Sequence, residues 1–227
     1  MNIYIKNVST VLDDPEVRAT HAPLIMYSRH IRSFWGSMQP GIFYLLPNED
    51  APAKAWQIII ADDSDQAGAL GYHDVTPDGR PISYVFAKTD LQYGYDWQIT
   101  LTHEFAEMML DPFIMRCEQT GNNRFHALEL CDPCEADELG YLINAGGFIM
   151  KVSDFITPYW FVPGATGIFD YCGHIKKPLE VLDGGYAYYW EDGQWYSEDH
   201  LGRKQTVEEY TTENPHKTRL AMYARER

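Results

Sequence analysis

The segment WQITLTHEFAEMML, from about Trp97 to Leu110, constrains this chain more than any other. Ile99, Leu101, Phe105, Met108 and Met109 recur at helical spacing. Asp111-Pro112 then ends the helix, because the residue before a proline is pushed out of the α region. Within this short apolar helix sit three polar groups of catalytic type, His103, Glu104 and Glu107.

The rest of the chain reads as a mixed α+β fold. IYIKNVSTVL alternates polar and apolar residues and predicts a strand, GIFYLLP predicts a short buried strand, and AWQIIIADD predicts the clearest strand of all. Between the first two, DDPEVRATHAPLIMYSRHIRSFW predicts helix with a kink or break at Pro23. The turn TPDGRP separates two extended pieces, GALGYHD and ISYVFAK, which predict a strand pair. From about Tyr141 to Tyr189 the chain is rich in Gly, Pro and aromatics and predicts short strands and irregular loops. With 227 residues, 45% hydrophobic, the chain can bury a substantial core.

Charge and targeting signals narrow the function. The formal net charge is −15, which repels phosphate backbones and disfavours a nucleic-acid partner. No apolar run reaches the length of a membrane span, and MNIYIKNVST lacks the features of a signal peptide. A cytoplasmic protein with reduced thiols at Cys117, Cys131, Cys134 and Cys172 is expected.

On a helix, His103 and Glu107 share a face at i, i+4 and can grip one ion, while Glu104 can reach an ion-bound water as general base. The logic is that of the HExxH motif with a carboxylate in place of the second histidine. The competing reading is an amphipathic helix whose His and Glu face water. A second acidic cluster, Glu129-Leu130-Cys131-Asp132-Pro133-Cys134-Glu135-Ala136-Asp137, supplies a third ligand. Glu129 is the choice for it, with Asp132 behind His103 on its free nitrogen, although the two roles can be exchanged. Asp132 and Glu135 also read as a helix cap. Cys131 and Cys134 read as buried thiols rather than half of a structural zinc site. His73 on the proposed edge strand, His126 as a reserve ligand, and Tyr141, Tyr159 and Tyr171 as oxyanion donors are weaker candidates.

Several separated motifs carry a resemblance: the HE-x-x-E-x-x-x-DP helix, then ELCDPCEAD, then SDFITPYWF. In that order they resemble a family of uncharacterised phage and prophage proteins. The resemblance implies a zincin-like metallopeptidase scaffold spanning 1–227 as a single domain, with sheet and active-site helix in 1–112, a C-terminal subdomain in 113–202 and a polar tail in 203–227. It places His103, Glu104, Glu107, Asp111, Glu129, Asp132 and Cys134 on the motif positions. The expected cofactor is one divalent ion, most naturally zinc, on His103, Glu107 and Glu129, with Glu104 as base and a peptide or protein as substrate. A host-cytoplasmic or virion setting follows from the resemblance. The alternatives are a catalytically silent metal-binding phage structural or assembly protein, and an interaction module.

Overall fold

A computed structural model describes residues 1–66 and 68–207. The first half is built around a mixed sheet whose strands bury mainly one face. Its elements are β1 (Asn2–Asn7), α1 (Asp14–Ala19), α2 (His21–Trp35), β2 (Gly41–Leu45), β3 (Trp56–Ala61), β4 (Gly71–Val75), β5 (Pro81–Phe86), α3 (Ala87–Tyr93) and α4 (Trp97–Leu110). The strand order is β2-β1-β3-β5-β4. The first four run parallel, and β4 alone is antiparallel, at the edge. In β3 Ile58 and Ile60 are buried and alternate with half-buried Gln57, Ile59 and Ala61, so AWQIIIADD reads as a β-branched apolar run. Ile3, Ile5, Ile58 and Ile60 are fully buried.

The helix α4 spans the residues expected of it. Asp96 caps its N-terminus by accepting the Gln98 N–H at 3.0 Å, and its own N–H donates to Asp137 at 2.8 Å. Asp96→Ala should cost about 1 kcal/mol of unfolding free energy in urea titrations, the usual loss for a side-chain N-cap. At the other end Asp111 accepts the backbone N–H groups of Met115 and Arg116 at 3.0 and 2.7 Å, which fixes the turn after Pro112. The helix is buried almost all round, wedged between β4–β5 and a hairpin from the second half.

Two local readings change. The helical break predicted at Pro23 falls at Thr20, and Pro23 lies in the first turn of α2, where no intrahelical N–H is needed. Ala87-Lys88, read as the end of a strand, begins α3 directly after β5. Its N-cap, Phe86, makes no side-chain cap bond, so the sequence carries no start signal there.

The second half contributes β6 (Cys117–Gln119), β7 (Arg124–Ala127), β8 (Tyr141–Ala145), β9 (Phe148–Val152), β10 (Tyr186–Glu191), β11 (Gln194–Asp199) and β12 (Lys204–Thr206). β8 and β9 form a hairpin against α2 and α4. Ser153 N–H donates to Thr102 Oγ at 2.9 Å and Lys151 N–H to Gln98 at 3.1 Å, stitching the segment to α4. The other strands make an antiparallel sheet, β12-β11-β10-β7-β6. Part of the expected polar tail thus pairs as β12; residues 208–227 lie outside the described residues. One hydrophobic core runs from Ile3 to Ala187 and joins both halves. No helix among the described residues is long and apolar enough to cross a membrane.

Candidate metal centre

Three chain segments converge at α4. The edge strand β4 brings His73, α4 brings His103, Glu104 and Glu107, and the loop after β7 brings Glu129, Asp132 and Glu135. They line a cleft of about 1470 Å³, which β10 borders with Tyr186 and Tyr188. Among the described residues that line it there is no lysine or arginine.

The reading of α4 as a helix whose acids face water does not hold. Glu104 is 4% exposed and Glu107 3% exposed. Buried carboxylates are costly unless a cation, a proton or several hydrogen bonds compensate them. His103 Nε2 lies 3.2 Å from Glu107 Oε1, as the i, i+4 spacing requires, and 3.1 Å from Asp132 Oδ1. Asp132 therefore stands at the same ring nitrogen as Glu107, not behind the ring as expected. The Cys131 N–H donates to Glu107 Oε1 at 3.2 Å and locks that carboxylate.

Glu129 comes to Glu107 from the other side, beside His73. Glu107 Oε2 is 3.3 Å from His73 Nδ1, and Glu129 Oε2 is 3.9 Å from His73 Nε2. The donors thus fall into groups: His73, Glu107 and Glu129 form one, and His103 belongs to others with Glu107 and Cys131 or with Asp132 and Glu135. No group among the described residues unites His103, Glu107 and Glu129.

Glu104 points at β4. Its Oε2 is 3.8 Å from His73 Nδ1 and has no hydrogen-bond partner, although it is buried. The close approach depends on Gly71. A Cβ there would sit 2.7 Å from Thr100 Cγ2, 2.8 Å from the Tyr84 carbonyl oxygen and 2.9 Å from Glu104 Oε1. Alternation along β4 then turns His73, two residues on, to the same side. Gly71→Ala should lower stability by about 1–3 kcal/mol through overpacking as β4 is pushed off α4. Calorimetry checks this, and an unchanged melting temperature would refute the contact.

Electrostatics follow from this crowding. Burial alone would lower the pKa of His73 and His103, but the surrounding carboxylates outweigh it and hold both well above the ordinary value. Burial raises Glu104 and, with Glu107 nearby, raises Glu129 strongly. Asp132 is pushed up to about 6 and Glu135 to about 8, in both cases by burial first and a neighbouring carboxylate second. Glu107 moves the other way: burial is outweighed by His103 and His73, and its pKa falls.

Other candidates stand elsewhere. His126 is buried in β7, where Nδ1 meets Thr120 Oγ1 at 2.7 Å and the ring packs on Tyr189 and Trp160. Burial lowers its pKa to about 3. Tyr141 and Tyr171 stack with His30 in the core, and Tyr141 Oη is 2.9 Å from His30 Nδ1. Tyr159 is half exposed, and none of these three lines the cleft. Tyr186 does, and the sequence offered no way to choose it among so many tyrosines. Gly185 explains its placement: a Cβ there would sit 2.6 Å from the Asp132 carbonyl oxygen, so only glycine lets the start of β10 close over the acidic turn. Asp132–Cys134 is a 3-10 turn with no side-chain cap, so Asp132 and Glu135 are not a helix cap but part of the cleft lining. All four cysteines are free thiols, with Cys131 and Cys134 buried.

No family model, curated protein or solved structure matches the chain.

Proposed function

We propose that this chain is a metal-dependent hydrolase that cleaves a peptide bond in an extended substrate, on a zincin-like scaffold. One observation carries the reading: His103 Nε2 and Glu107 Oε1 lie 3.2 Å apart, while the other Glu107 oxygen and the buried Glu104 Oε2 both face His73 Nδ1, at 3.3 and 3.8 Å. Two donors about 2.0–2.2 Å from one tetrahedral ion stand about 3.3–3.6 Å apart. Direct charge-assisted hydrogen bonds are shorter, about 2.7–2.9 Å. The spacings at His103 and His73 therefore suit a shared ion better than direct contact.

His103 and Glu107 would hold the ion, with Asp132 as the nearest further donor and Glu129 on the far side of Glu107. When bound, a zinc-like ion polarises a carbonyl and lowers the pKa of its water to about 7. Glu104 takes the water proton and passes it to the leaving amine, a role its burial favours by raising its proton affinity. Tyr186 keeps its proton, since burial and the nearby Asp132 and Glu135 raise its pKa, and its hydroxyl can donate to the developing oxyanion. β4, the last strand in the sheet order and the one that carries His73 into the cleft, is the strand along which an extended peptide would lie. The mixed sheet with its antiparallel edge strand against the motif helix supports the zincin-like part of the reading.

The test is a metal assay of the purified protein together with a diverse peptide library, with and without chelator. Bound metal and chelator-sensitive cleavage are expected. Cleavage that survives the chelator, or none from metal-loaded protein, overturns the catalytic reading.

A further inference from the structure

We infer that the cleft binds two divalent cations, bridged by the Glu107 carboxylate. The inference deepens the metallohydrolase reading above and rests on it. Glu107 faces a different histidine with each oxygen: Oε1 is 3.2 Å from His103 Nε2, and Oε2 is 3.3 Å from His73 Nδ1. A carboxylate that serves one ion needs only one of these neighbours. Each side also has further donors. His103 has Asp132 Oδ1 at 3.1 Å and groups with Asp132 and Glu135. His73 groups with Glu107 and Glu129, all offering atoms within 4.8 Å of one another.

Charge balance points the same way. To ligate, both histidines must be neutral. Glu104, Glu107, Glu129, Asp132 and Glu135 then face a cleft with no lysine or arginine among its described lining residues. One divalent cation leaves most of that charge uncompensated in a buried site, and two nearly neutralise it. Glu104 adds an independent sign, since its Oε2 is buried in the cleft without a hydrogen-bond partner. Ions about 3.5–4 Å apart, the usual separation in hydrolytic pairs, fit a bridging carboxylate. The donors are imidazole and carboxylate with no committed thiolate, a set that suits zinc, manganese or cobalt.

The experiment titrates the metal-stripped full chain with Mn²⁺ and with Zn²⁺, counts bound ions by elemental analysis after desalting, and records the Mn²⁺ paramagnetic resonance spectrum. Two ions per chain are expected, with exchange-coupled manganese. His73→Ala should fall to one ion, and the remaining manganese should give an uncoupled six-line spectrum. A single ion in the wild type that is lost in His103→Ala but kept in His73→Ala overturns the second site and leaves the one-metal reading intact. His73 would then act as a hydrogen-bond partner that orients Glu107. No bound ion at all overturns both. The wild-type spectrum decides the matter even if a variant fails to fold.

Discussion

Glu104→Gln should reduce peptide hydrolysis by about 10²–10⁴-fold, the usual worth of a general base, while metal content and fold are retained. The amide keeps the shape and fits the same slot between Gly71, Thr100 and His73, but it cannot accept the water proton. The variant should be at least as stable as the parent after metal is stripped, because it removes a carboxylate whose burial already opposes ionisation. Functional groups commonly carry such a cost in stability. Steady-state assays and thermal melts on the same preparations check both halves. Activity within a few-fold of wild type would assign the proton transfer to another group. A melting temperature that falls with activity would make Glu104 a structural residue.

Much of the scaffold was legible because local pattern and tertiary demand agree. The bounds of α4 follow from its apolar period and from Asp111-Pro112, and β3 follows from a run of β-branched isoleucines, the residue type that suits a strand. Agreement failed where the cause is non-local. α3 starts without a cap, directly from β5. The acidic turn at Asp132 has the residue types of a helix start, yet its carboxylates are drawn to a histidine on another element. His103, Glu104 and Glu107 could be named from spacing within one helix. His73 could be no more than a weak candidate, because its place depends on how closely Gly71 lets an edge strand approach that helix. Whether Glu129 or Asp132 lies nearer His103 is likewise a matter of loop path, which their separation in sequence does not encode. The sorting of donors onto the two sides of Glu107 is visible only in three dimensions.

Removing the metal should destabilise the native chain and reverse the pH dependence of its stability. An ion that binds only the folded state stabilises it by about 4 kcal/mol when present at about a thousand times its dissociation constant. Chelation, or His103→Ala, should therefore lower the melting temperature by several degrees, and chelator should have little further effect on the variant. The stripped protein should then lose stability as pH rises. Asp132 and Glu135 are raised from 3.8 and 4.5 to about 6 and about 8. Glu104 and Glu129 are raised as well. Each binds more protons folded than unfolded, so its contribution is complete below its unfolded pKa and disappears as pH climbs through its folded one. His73 and His103, also raised, act in the same sense at higher pH. Within the cleft Glu107 opposes them, since its lowered pKa gives stability that is lost only in acid; outside it His126, lowered to about 3, adds stability as pH rises to about 6.5. Between about pH 6.5 and pH 8, above the range in which His126 opposes the trend, the stripped protein should thus become less stable, while the metal-loaded protein gains, because deprotonated carboxylates and neutral histidines are what the ion binds. Melting curves across that range, with and without chelator, should diverge upward in pH. Parallel curves would mean that these carboxylates are compensated without any cation, and would remove the electrostatic ground for a metal in this cleft.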